Sequence, residues 1–299
     1  MKLLSLLDRL SAADAASAHE ATPRRQLLRQ LGQAGVRAAA VALPVSLAQS
    51  AQASTLADTA LDVILRLLKL EDLLSALYTQ ALAPGAVLAN PAQAAVRADF
   101  ERVLRHQQGH AIFLRNALTG AGLTPPAAPA FDFSGRRNNP ANPELFPNVL
   151  TDYAAFLQLA QQLEDASASI YLAQVPFLAA DRQLLDAVLR MQTVEARHAS
   201  HVRTLRRNLT ASGLKSWPSN ADAAPSPAVL VPSPAGGTAA PVSIYAFEAN
   251  ENQVTTGTTT VPFVALLSGT NAVQFVALSE AFDEPLPATQ VTALFALFA

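Results

Sequence analysis

One pattern of side chains occurs twice in this sequence, and it constrains the fold more than any other feature. The first copy contains Leu70-Glu71-Asp72 followed by Gln107-x-x-His110, and the second contains Leu163-Glu164-Asp165 followed by Glu195-x-x-His198. In both copies a tyrosine follows the first Glu by seven positions, and an arginine follows the His by five. Self-similarity of this kind is the signature of a duplicated structural unit. The sequence therefore predicts two copies of one helix hairpin.

Four amphipathic segments carry these motifs, and their apolar residues recur with helical spacing. We expect helices over residues of about 56–82, 91–118, 149–175 and 181–209. Ala83-Pro84-Gly85 is a typical end for the first helix, and Pro91 is a typical start for the second. A proline-rich link, residues 121–147, joins the second helix to the third, and we expect the aromatic rings of its Phe131-Asp132-Phe133 to pack on the helices. Two hairpins joined by a long crossover indicate an all-α four-helix bundle.

Composition supports a helical fold and excludes several kinds of site. Aromatic residues make up 6% of the chain and alanine is frequent, a balance that favours helix over sheet. The absence of cysteine excludes disulfides, thiolate metal sites and iron–sulfur clusters. The formal net charge of -2 includes no basic excess, so we expect no nucleic-acid partner. We also expect no membrane span in the mature chain, because no segment reaches about 18 uninterrupted apolar residues.

The Glu-x-x-His spacing suits metal binding, because residues three positions apart project from nearly the same face of a helix. If those faces point inward, Glu71, His110, Glu164, Glu195 and His198 converge at the middle of the bundle. Oxygen and nitrogen ligands of these types suit iron, manganese or zinc, and a metal would offset the cost of burying carboxylates. In the alternative, Glu71 lies on a solvated face and pairs with Arg66 or Lys69.

These motifs resemble those of the ferritin-like domain proteins. Within that family they are most similar to an exported bacterial group that is related to plant desiccation-associated proteins. The resemblance covers residues of about 55–212. It implies a bundle with a di-metal carboxylate centre, most often iron, in which Glu71 and Glu164 are terminal ligands. It also implies that Glu195 bridges the two metals and that His110 and His198 bind one metal each.

Gln107 departs from the family pattern, since the resemblance implies a second bridging Glu at this position. Two divalent metals carry four positive charges, and three carboxylates leave one of them unbalanced in an apolar core. We therefore predict weakened metal binding at the site that Gln107 shares with these ligands, with one metal or none, unless a carboxylate outside the motif compensates. Two functions follow as hypotheses: an exported protein with a degenerate di-metal site, active in oxidative stress or metal handling, or a non-catalytic, stress-protective bundle that has lost its metal.

The remaining histidines and the repeated tyrosines are weaker candidates for the site. His106 and His201 lie one turn from the motif histidines. Each could be a metal ligand or the hydrogen-bond partner of a ligand. Single histidines are more often ordinary surface or satisfied residues, and we favour that interpretation. For Tyr78 and Tyr171 we favour core packing with a satisfied hydroxyl over a radical role.

The N-terminal residues 1–53 resemble a bacterial twin-arginine export signal. Arg24-Arg25 precedes a modestly apolar stretch, and Ala51-Gln52-Ala53 has the small-x-small pattern of a cleavage site. This predicts a periplasmic or other extracytoplasmic protein whose bundle domain spans 54–212. The alternative is an ordinary surface helix with an arginine pair.

The last third of the chain reads as an appendage to the bundle. Residues 213–241 are rich in Pro, Ala and Ser and predict a linker, and 242–299 predict a mixed, partly irregular extension. Its apolar final segment, which includes Val291 and Phe298, needs a partner surface. That surface is either the bundle or a second subunit, which would make a homodimer. We expect the nearby Glu280, Asp283 and Glu284 to be solvated.

Overall fold

Four long helices form the body of the protein. A computed structural model describes residues 59–210, 213–219, 225–233, 239–249, 252–255, 259–262, 277 and 280–299. The segment predicted to be an export signal lies outside the described residues. The four helices are α1, Ala60–Leu82; α2, Ala94–Gly120; α3, Tyr153–Gln174; and α4, Arg182–Thr210. Each of these helices begins and ends within four residues of the bounds predicted from the sequence.

Local sequence signals explain where the helices begin and end. Thr59 and Asp62 form a capping box at the start of α1: the Thr59 hydroxyl accepts from the Asp62 amide, and the Asp62 carboxylate accepts from the Thr59 amide. Gly85 in the turn after α1 has φ +82°, a conformation that glycine adopts without strain. The Asp152 side chain caps α3, and a 3₁₀ turn over Val175–Leu178 ends it at the predicted proline.

The helices pack as two hairpins, α1 with α2 and α3 with α4, and α1 also contacts α3. α3 is the most enclosed helix, because every residue from 159 to 171 is buried, its polar ones included. A helix that is buried on all sides must be covered by more than one partner. On α3 that additional cover comes from the C-terminal extension, which places the Tyr245 hydroxyl on Asp165 and the Leu286 amide on the Ser169 carbonyl.

The chain's last helix, α5 (Ala288–Phe295), and the residues after it dock on the crossover. The Phe298 ring packs against Phe133 and Phe146, with ring centroids 5.8 and 5.6 Å away, and the Phe298 carbonyl accepts from the Asp132 amide at 2.7 Å. The apolar end of the chain therefore has its partner surface within the same molecule. A homodimer through this segment stays a prediction.

The rest of the extension contains short antiparallel pairs and a helical turn. β1 (Leu230–Val231) pairs with β2 (Val242–Ser243), and β3 (Asn252–Thr255) pairs with β4 (Thr259–Pro262). A 3₁₀ turn over Ile244–Ala249 follows β2. Within the described residues, no helix is long and apolar enough to cross a membrane.

The acidic residues before α5 are not simply solvated, and the expectation for them is wrong. Glu280 accepts hydrogen bonds from Lys215, Ser219 and Trp217, and Asp283 faces Ser169 on α3. Burial raises the pKa of the Asp283 carboxyl to about 6. The expectation failed because residues 213–219 and 239–249 fold back over this segment, which the local sequence does not indicate.

Candidate metal centre

Each helix of the bundle contributes at least one of the predicted ligands, all at the same level of the core. Glu71 comes from α1, Gln107 and His110 from α2, Glu164 from α3, and Glu195 and His198 from α4. The three glutamates and Gln107 have no solvent-exposed surface, and His198 is 5% exposed. The alternative in which Glu71 pairs with Arg66 or Lys69 at the surface is therefore wrong.

Among the described residues, two groups of side chains could hold a metal ion, and Glu195 belongs to both. One group is Glu71, His110 and Glu195, and the other is Glu164, Glu195 and His198; in each, the ligand atoms all lie within 4.8 Å of one another. His110 Nδ1 lies 3.0 Å from Glu195 Oε1, and His198 Nδ1 lies 3.7 Å from Glu195 Oε2. The two oxygens of one carboxylate thus face different histidines, which is the arrangement that a bridging ligand requires.

The repeated tyrosines cross between the two halves of the bundle. The Tyr78 hydroxyl on α1 donates to Glu164 on α3, and the Tyr171 hydroxyl on α3 donates to Glu71 on α1. Burial raises the pKa of both tyrosines well above the usual value, so each keeps the proton that it donates. Each tyrosine therefore fixes a carboxylate oxygen of the opposite hairpin. Each is a packed core residue with a satisfied hydroxyl, as the sequence predicted.

Gln107 lies among the carboxylates, and its amide contacts both halves of the site. Its Nε2 donates to Glu195 Oε2 at 3.0 Å and reaches Glu164 Oε1 at 3.4 Å. Ser167 also donates to Glu195 Oε2, at 3.0 Å. The amide thus supplies hydrogen bonds where a glutamate would supply negative charge, and it stabilises the carboxylates without a metal.

Without a metal, the site balances its charge with protons. Burial raises the pKa of Glu71 to about 8 and also raises that of Glu164, beside the charged Glu195. Burial opposes protonation of His110, but contacts with Glu195 and Glu71 outweigh it and raise its pKa to about 10. Burial likewise opposes ionisation of Glu195, yet the two histidines lower its pKa. Burial therefore favours the neutral forms of Glu71 and Glu164, and the histidine contacts favour the charged form of Glu195.

The polar atoms that lack partners fit a metal. Glu71 Oε2, Glu164 Oε2 and Gln107 Oε1 are buried and accept no hydrogen bond from any described residue. Leaving a buried polar atom unsatisfied costs about 1–3 kcal/mol, so three such oxygens at one level of the core need an explanation. Together with the imidazole nitrogens they form the mixed oxygen and nitrogen set that suits iron, manganese or zinc.

His106 is connected to this site, whereas His201 is not. The Nδ1 atom of His106 lies 2.9 Å from Nε2 of His198, and the two rings stack at 5.2 Å between centroids. His106 therefore fixes the ring orientation of a predicted ligand, the role of hydrogen-bond partner that the sequence left open. His201 is half-buried beside the Phe100 ring, pairs with Asp99 at 3.5 Å and belongs to neither ligand group, as the sequence favoured.

Two features of the site escaped sequence reasoning. Arg115 pairs with Asp72 at 2.7 Å, and Arg203 pairs with Asp165 at 3.5 Å. These pairs occupy matching positions in the repeat, so the repeated Asp and Arg could have revealed them. Ser167 had no such signal, because Leu74 stands at the matching position of the first copy.

A four-helix bundle with a long crossover and paired carboxylate–histidine groups in its core defines a class of metal-binding helical proteins. A family model for the ferritin-like domain matches residues 59–208, half of the chain. The chain therefore belongs to the ferritin-like domain family, as its motifs predicted. No curated protein matches the sequence.

Proposed function

We propose that the bundle binds a pair of metal ions, iron before manganese or zinc, and that the protein acts in metal handling or in defence against oxidants. Bound iron would supply electrons for the reduction of dioxygen or peroxide. The observation that carries this proposal is the shared carboxylate: Glu195 belongs to both groups of potential ligands, and each group has its own histidine and its own second glutamate.

The chain's own residues would hold these ligands in place. Tyr78 and Tyr171 each fix one oxygen of Glu164 or Glu71 and leave the other oxygen without a described partner. His106 orients His198 so that Nδ1 faces the carboxylates. Hydrogen bonds that hold ligand side chains in place in this way tune metal affinity and limit the orientations that the ligands can adopt.

A second function has one specific observation in its favour. The Gln107 amide donates to Glu195 and reaches Glu164, and burial favours the neutral forms of Glu71 and Glu164. A bundle of this kind would need less metal charge to balance its core and would serve as a non-catalytic, stress-protective protein. The two functions differ in whether the purified protein retains metal.

Metal content distinguishes them. The full chain is incubated anaerobically with Fe(II), desalted and analysed by elemental mass spectrometry beside a His198→Ala variant. A matched control is His201→Ala, because His201 lies on the same helix but belongs to neither ligand group. We expect one to two iron ions per chain in the wild type and the control, and a loss of at least one in His198→Ala. No retained iron in a folded wild type would contradict the proposal and favour the metal-free function.

We also propose that residues 1–53 direct export through the twin-arginine route, which carries folded proteins. The support is the order of Arg24-Arg25, an apolar stretch and a small-x-small site in the sequence. Replacement of both arginines by lysine should abolish export of the full chain, measured by fractionation of cells that express it. Unchanged export of that variant would contradict the assignment.

A further inference from the structure

A cavity of about 260 Å³ lies outside the bundle core, between α3, α4 and the C-terminal extension. Its lining includes four carboxyl groups, those of Asp165, Glu248, Glu280 and Asp283, and no lysine or arginine of the described chain. Trp217 and Phe282 add aromatic surface on the solvent side, where the Trp217 side chain is 51% exposed. The cavity is smaller than a typical pocket for a drug-sized ligand, so it suits a compact molecule.

Three of these carboxyl groups have partners. Asp165 accepts from the Tyr245 hydroxyl at 2.6 Å, Glu280 binds Lys215, and Asp283 faces the Ser169 hydroxyl at 3.4 Å. They are parts of the fold and leave little capacity to attract a ligand by themselves.

Glu248 is different. It is 5% exposed, it lines the cavity, and its side chain makes no hydrogen bond or ion pair with any described residue. Burial and the neighbouring charges of Asp283 and Glu284 raise its pKa to about 8, as expected where negative potential is not compensated. A carboxyl group in such a buried position with no partner among the described residues needs an explanation, and a bound ligand or ion supplies one.

The extension cannot supply the missing charge itself. Residues 213–299 contain six acidic residues and one basic residue, Lys215, which binds Glu280. On the bundle side, Arg203 is engaged with Asp165. A cation from outside the chain would therefore replace the proton that Glu248 holds below about pH 8.

The arrangement favours an organic cation over a metal ion. The only described groups whose ligand atoms come close enough to hold a metal are the two in the bundle core. The acidic residues here surround a cavity instead of converging on a point, and an aromatic ring stands beside them. Carboxylates together with an indole face are the usual recognition set for ammonium groups.

We propose that this cavity binds a small alkylammonium ion, held between the carboxylate of Glu248 and the ring of Trp217. The site is distinct from the metal centre, because it lies between α3, α4 and the extension and shares no residue with either ligand group. The chemical class is an aliphatic amine or diamine, whose methylene chain occupies the cavity while its ammonium group meets the acidic lining.

Calorimetric titration of the full chain with cadaverine at pH 8 and constant ionic strength tests the proposal. We expect saturable binding with one site per chain and no binding of the uncharged analogue pentanediol. Glu248→Gln keeps the size of the side chain and removes its charge, so we expect about tenfold weaker binding, the effect of losing one charge-assisted hydrogen bond. Glu144→Gln, an exposed substitution in the crossover, is the matched control and should bind as the wild type does.

Trp217→Ala provides an independent variant, because its exposed ring can be removed without disturbing the core. It should weaken binding several-fold and leave the melting temperature nearly unchanged. The proposal is overturned by the absence of saturable cadaverine binding, by equal affinity in wild type and Glu248→Gln, or by equal binding of pentanediol. Calcium binding without cadaverine binding would also overturn it, since the cavity would then be a metal site.

Discussion

At the scale of single residues, Gln107 is the side chain that bears most directly on how much metal the proposed centre would hold. It occupies the position at which a second bridging carboxylate would complete the site, and its amide instead donates to Glu195. An amide is neutral, so two divalent ions would face three carboxylates in a core that screens charge poorly. The same amide removes part of the cost of a metal-free site. Gln107 would therefore disfavour the metal-bound state, which lacks a fourth carboxylate, and favour the metal-free state, in which its amide donates hydrogen bonds.

Gln107→Glu should raise the metal content toward two ions per chain, because the fourth carboxylate balances the fourth positive charge. In the metal-free variant, the new carboxyl group lies beside Glu195 and Glu164 and should lower the melting temperature, and metal should restore it. Elemental mass spectrometry and thermal denaturation with and without Fe(II) measure both effects. Gln108→Glu is the control, because Gln108 is next to Gln107 in the sequence but its side chain is exposed. If the metal content of Gln107→Glu equals that of the wild type, the bridging position is assigned wrongly.

At the scale of elements, helix spacing and the repeat predicted that the Glu and His residues of the motifs face the core. Glu71 and Glu164, for example, lie where the duplicated pattern indicates. The crossed hydrogen bonds of Tyr78 and Tyr171 were not predictable, because they depend on how far α1 and α3 rotate about their axes. His106 shows the same limit: it is four residues before His110, yet it contacts His198 on α4. Periodicity identifies a face of one helix, and packing decides which atoms of two helices meet.

At the scale of the whole molecule, the extension makes the two halves of the repeat unequal. Both halves carry an Asp–Arg pair, and the described part of the extension covers Asp165–Arg203, to which it adds the Tyr245 hydroxyl. The local sequence of residues 213–299 indicated only a linker and short extended segments. Its contacts join residues more than sixty positions apart, such as Val229 with Gln162 and Tyr245 with Asp165. Such long-range contacts depend on tertiary packing, and no local pattern encodes them.

The extension should make the stability of the molecule depend on pH through Glu248. The pKa of Glu248 is about 8 in the folded chain and near its ordinary value of 4.5 in the unfolded chain. Between these values the folded state holds a proton that the unfolded state has released, so stability falls as the pH rises from about 4.5 to 8 and changes no further above it. Asp283, whose pKa is about 6, contributes in the same direction. Asp165 and Glu284 add negative charge around Glu248, and Arg203 offsets part of it.

Glu248→Gln should therefore melt at about the same temperature as the wild type near pH 4.5 and at a higher temperature at pH 8. A gain of at least ~1 kcal/mol at pH 8 corresponds to roughly 2–4 °C for a chain of this size. The metal-centre carboxyls titrate equally in both proteins, so the difference between the two melting curves isolates Glu248. Glu144→Gln, at an exposed position, should follow the wild type at both pH values. Identical melting of wild type and Glu248→Gln at pH 8 would mean that Glu248 ionises at no cost. The cavity would then already contain a compensating charge.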